Sequence, residues 1–140
     1  MKKSTEELLQ LLKKSNTIDD YFSVADESLI SVSLSEELDR LIREHGKKPA
    51  EIFRRAGIDK SYGYDILSGK RSPSRDKVLA IMFGLEQSAS DTQVLLKQCG
   101  YPVLYPKHTR DAVILFCLER RISLSDCNET LYDMGMELVE

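Results

Sequence analysis

The chain has 140 residues, 41% apolar and 31% charged, a balance that suits one globular core and argues against wholesale disorder. Its longest unbroken apolar run, the seven residues Ala112 to Leu118, is too short to cross a bilayer, and the N-terminus lacks a signal-peptide core, so a soluble cytoplasmic protein is expected. The net charge of −3 conceals a basic middle: residues 47–78 carry nine basic and four acidic side chains, while 1–46 and 79–140 are each −4, a pattern that points to a polyanion partner.

Helical signals run the length of the chain. Ser4 with Glu7 reads as a capping box for a helix to about Lys14, with Leu8, Leu9, Leu11 and Leu12 on one apolar face. The acidic stretch 15–31 reads as an irregular connector with a short turn at Ile18–Phe22, leaning on the core through Tyr21, Phe22 and Leu29–Ile30. Ser33 with Glu36 opens a second helix, with Leu34, Leu38, Leu41 and Ile42 at helical spacing and Gly46 as its stop. Two short helices follow, about 49–56 and 60–68, the second capped by Asp59 and ended by Gly69. Ser74 starts a strongly apolar helix through Leu85, and Ser90 with Gln93 starts another that stops at Gly100.

Two prolines mark 101–106 as a loop. Thr109 is expected to cap a helix through Leu118 that is apolar nearly all round and therefore central. Ser123 or Ser125 caps the last helix, with Leu124, Cys127, Leu131 and Met134 on one side. No segment alternates as a strand does. The prediction is all-α, about eight helices. Cys99, Cys117 and Cys127 lack C-x-x-C spacing and fall in apolar helical patterns, which predicts buried reduced thiols.

The informative stretch is PAEIFRRAGIDKSYGYDILSGKR, from Pro49 to Arg71. Ala56-Gly57-Ile58, a helix, and then Ser68-Gly69-Lys70-Arg71-x-Pro73-Ser74 resemble the helix-turn-helix of the Cro/C1 (XRE-like) repressor family. The resemblance covers roughly Leu34 to Cys99. It implies a lambda-repressor-like five-helix domain at 33–100, with an N-terminal helix and connector at 1–32 and a C-terminal helical extension at 101–140. Ile52, Ala56 and Ile66 match positions that the family keeps apolar, and Gly57 suits the turn because it accepts positive φ.

This chain departs from the family twice. Phe53 stands where a small residue is usual and Gly63 where a bulky one is usual. These positions face each other in the motif, so the exchange conserves volume. Pro49 replaces a polar, phosphate-contacting residue, leaving Lys47 and Lys48 to take that part.

In the second helix, Tyr62, Gly63, Ile66 and Leu67 share one face, leaving Lys60, Ser61, Tyr64, Asp65 and Ser68 on the other. The resemblance implies that this outer face enters a major groove and that Lys48, Lys70, Arg71 and Arg75 hold phosphates. The expected protein is a sequence-specific, double-stranded DNA-binding transcriptional regulator, a repressor acting as a homodimer. The helices from Thr109 to Met134 serve either as a dimer or effector surface, for a protein or a small molecule, or as completion of the core. A protein-interaction module that keeps the fold without reading DNA is the alternative, favoured by Asp65, Pro49 and the negative total. No cofactor is implied. His45 and His108 are isolated residues expected near helix C-termini, and no catalytic motif occurs, so no enzyme is expected.

Overall fold

Serine and threonine side chains start most of the helices, as the spacing predicts, by accepting a backbone N–H that the first turn leaves without a partner. The computed structural model describes residues 3–29 and 33–140. It places nine α-helices and no strand among them. The chain divides into two compact units, Met1–Ser31 and Val32–Glu140.

The first unit holds α1 (Thr5–Lys14) and α2 (Ile18–Ala25), followed by a 3-10 turn at Asp26–Ser28. Ser4 and Glu7 form the expected capping box, but α1 buries none of its leucines. The connector is not irregular. Thr17 accepts from the Asp20 N–H, and Asp19 and Asp20 sit in the first turn, so a helix forms where an acidic linker was expected. Tyr21 and Phe22 meet edge to face, centroids 5.9 Å apart. Ile30, an expected anchor, lies outside the described residues.

The second unit runs α3 (Leu34–His45), α4 (Pro49–Arg55), α5 (Lys60–Leu67), α6 (Arg75–Gly84), α7 (Ala89–Gln98), α8 (Thr109–Glu119) and α9 (Leu124–Asp133). The buried helix at its centre is α6, not α8. Every residue from Val78 to Gly84 is buried, and α4, α7 and α9 pack around it. In contrast, α8 leaves Phe116 half exposed, with the Arg120 guanidinium 3.7 Å from the ring centroid. Met134 is also exposed rather than on the buried side of α9.

Two helix starts differ from expectation. The cap of α7 is Ser88, which accepts from the Asp91 N–H, two residues before the expected Ser90. The Gln93 amide is used elsewhere: it donates to the Leu104 carbonyl and accepts from the Leu104 N–H, both at 2.7 Å, fixing the 101–106 loop. The N-cap of α8 is His108, not Thr109, and its side chain makes no capping bond. His108 therefore lies at a helix N-terminus, opposite to expectation, and packs edge to face on Tyr105. His45 does lie in the last turn of α3.

No break in the core falls at residue 100. Leu104, Ile114, Leu118, Leu131 and Val139 belong to the same buried cluster as Leu38, Ile52 and Leu79. Polar clamps tie the C-terminal part in place. Arg75 of α6 pairs with Asp111 of α8 at 3.0 Å, and Arg110 of α8 pairs with Asp76 of α6 at 2.9 Å. Two Arg-Asp dipeptides thus exchange partners across two helix N-termini. Asn128 holds the C-terminal tail through two bonds with Val139. Cys117 and Cys127 are buried free thiols, as expected, whereas Cys99, also expected to be buried, is a free thiol only half-buried at the end of α7.

Candidate nucleic-acid interface

The Pro49–Arg71 stretch forms two short helices joined by a tight turn. Pro49 occupies the first position of α4, where its missing N–H costs nothing. At the end of α4, Gly57 takes φ +66, and the Ile58 N–H donates to the Phe53 carbonyl at 2.9 Å. A left-handed closure of this kind favours glycine. Ile58 is then buried, and Asp59 caps α5 by accepting from the N–H groups of Ser61 and Tyr62.

The inner face of α5 is locked. Gly63 and Ile66 are buried, and the Phe53 ring fills the space beside Gly63. Tyr64 lies edge-on to the Phe53 ring at 5.4 Å and is 41% exposed, so one side of its ring is packed and the other open. Lys60, Ser61 and Ser68 are exposed around it. Ser68 caps the helix end, its hydroxyl donating to the Asp65 carbonyl at 3.2 Å.

Asp65 is partly shielded. Its carboxylate faces the Arg71 guanidinium at 3.6 Å, while Arg71 also lies 5.5 Å from the centre of the Tyr62 ring. Lys77 approaches the same ring at 5.8 Å. Lys70 is exposed beside this cluster, and Lys48 is exposed at the start of α4. Lys47 is less available, being 3.7 Å from Glu51, which Arg54 and Arg55 also approach.

Arg75 does not belong to this surface, contrary to the sequence expectation. Its guanidinium donates to the carbonyls of Pro102 and Val103 and to both oxygens of Asp111. Those bonds tie its donors to the 101–106 loop and to α8. Burial opposes ionisation of Asp111, but the Arg75 guanidinium and the Tyr105 N–H outweigh it, holding the carboxyl below its usual range. The sequence signal was present as the second Arg-Asp dipeptide at 110–111, although nothing local indicates the exchange of partners.

The structure therefore brings Lys60, Ser61, Tyr64 and Ser68 onto one open face of α5, sets Lys70 and Arg71 at its far end with Asp65, and removes Arg75. Among the described residues no group of histidine, cysteine or carboxylate side chains is arranged to hold a metal, and no helix is long and apolar enough to span a membrane. No family model, curated protein or solved structure matches the chain.

Proposed function

We propose that this protein is a cytoplasmic transcriptional regulator that binds duplex DNA through α5, in a five-helix arrangement, α3 to α7, of the Cro/C1 type. The observation that carries this reading is the two-sided character of α5. Its inner side is pinned by the Phe53–Gly63 crossing and Ile66, while Lys60, Ser61, Tyr64 and Ser68 stand open between exposed cations. A rigid helix offering short polar and cationic side chains suits the edges of bases in a major groove.

Within this reading Lys60 donates to guanine, Ser61 selects among neighbouring bases and Tyr64 meets a thymine methyl or a phosphate. Lys48, Lys70 and Arg71 neutralise phosphates and set register, without carrying sequence information. The Arg71 contact offsets the repulsion that Asp65 would otherwise exert on the backbone. Two copies on a palindromic site would place their reading helices about 34–36 Å apart, one turn of DNA.

The test is selection of bound sequences from random duplex DNA by the full chain, followed by binding across salt concentrations. Enrichment of a two-half-site sequence, with a steep salt dependence that falls by about one unit for Lys70→Ala or Arg71→Ala, is the expected result. Failure to enrich any sequence at low salt would overturn the reading and leave the protein-interaction alternative.

A further inference from the structure

The helices α4 to α9 all end in the same closure. One residue turns left-handed, and its N–H and the next one donate back to carbonyls of the last turn. Four of these helices use glycine there, as the conformation favours. The other two do not. Glu86 follows α6 with φ +54, and Arg121 follows α8 with φ +56, each carrying a Cβ where one is disfavoured.

Both exceptions line the same cavity, of about 410 Å³, a size suited to a small ligand. Phe83, Leu118 and Leu124 supply its apolar lining, and Arg55 reaches its rim from α4. The charges there are unequal. Arg55 already pairs with Glu86 at 2.7 Å, whereas Arg121 has no ion pair among the described residues. A local rule broken twice at one concavity, each time in favour of a charged side chain, is the kind of strain that functional sites retain.

We infer that this cavity is a binding site for a small organic anion with an apolar body, a monocarboxylate whose charge meets Arg121 while its hydrocarbon part covers Phe83 and Leu124. The charge imbalance excludes a cation, and the apolar lining disfavours a bare inorganic anion. Glu86, by holding Arg55, leaves one cationic position to be filled. The site shares no residue with the open face of α5, so this inference stands or falls apart from the DNA reading.

Octanoate, octylammonium and octan-1-ol serve as matched probes in an amide-shift NMR titration of the full chain. Octanoate should produce saturable shifts at Gln87, Ile122 and Ser123, with the other two binding at least about tenfold more weakly, as loss of a charge-assisted contact predicts. Arg121→Gly removes the cation and relieves the backbone at once. It should raise the melting temperature by about 2–6 °C while weakening octanoate by about tenfold or more. Equal affinity for the three probes, absence of saturable shifts, undiminished octanoate binding by the glycine variant, or a fall in its melting temperature would each overturn the proposal.

Discussion

The Phe53 ring occupies the space that a side chain at Gly63 would need: a Cβ built there meets three ring carbons at 2.6–2.7 Å. The ring is 1% exposed and held against Tyr64, so it has little room to move aside. Gly63→Ala is therefore expected to destabilise by about 1–3 kcal/mol despite the better helix propensity of alanine. Adding Phe53→Leu should recover part of that loss, giving a coupling of about 1 kcal/mol or more in a double-mutant cycle read by urea unfolding. Simple additivity would mean that the two sites do not share volume.

Gly84 makes the complementary case. A Cβ there would lie 2.8 Å from the Ile52 carbonyl oxygen, where α4 crosses α6. Backbone cannot change rotamer, so Gly84→Ala should cost about 2 kcal/mol or more, and no side-chain change at Ile52 should restore it fully. Ile52→Ala removes the Cγ2 methyl that lies 3.3 Å from the same position, so complete loss of the Gly84→Ala cost in that background, in a double-mutant cycle read by thermal unfolding, would show that the methyl group, not the carbonyl, sets the limit.

Arg75 should prove structural. Its loss leaves the Asp111 carboxylate buried without its cation, so Arg75→Ala is expected to cost about 3–5 kcal/mol in chemical unfolding. Among molecules that remain folded, the salt dependence of DNA binding should be unchanged, in contrast to Lys70→Ala and Arg71→Ala.

Asp111 also gives the protein a dependence on acid. Its folded pKa lies below the ordinary 3.8, so the unfolded chain takes up the proton first as pH falls. The stabilisation is present above that value and is lost as pH drops through the lower, folded one. Asp111→Asn should flatten this part of the stability–pH curve, measured by thermal unfolding from pH 5 down to pH 2. A curve that keeps the parent's shape would rule out Asp111 as its origin.

The thiols should differ in reactivity. Cys127 is pushed up to about 12 by burial and the neighbouring Cys117, and burial also raises Cys99, which is only half-buried. At pH 7.5 a thiol reagent should label Cys99 slowly and leave Cys117 and Cys127 unlabelled, with all three reacting in urea. Peptide mapping of the labelled folded protein checks the order.

Much of the helical layout was legible in the residues because helix ends are local devices. Ser4, Ser33, Asp59, Ser74 and Ser123 each bond an N–H two or three residues away, and Gly46, Gly57, Gly69 and Gly100 each solve a backbone problem at their own position. The Phe53–Gly63 exchange was legible for a related reason: a volume gained at one position of a short motif must be returned at the position facing it. Where several local solutions compete, sequence loses its hold. Ser88 and Ser90 can both cap α7, and Gln93 leaves the role it would have had behind Ser90 to clamp Leu104.

Only the tertiary structure decided the fate of the charges and the position of the cavity. Arg75 looks in sequence like one more member of the basic loop, yet Asp111, 36 residues away, turns it inward. The cavity depends on two helix ends, at Glu86 and Arg121, being brought to one concavity by the fold. The amino-acid sequence by itself determined where helices start and stop, because those bonds close within one turn. The fold decided which cations face solvent and which face a carboxylate, because that depends on residues brought together by packing.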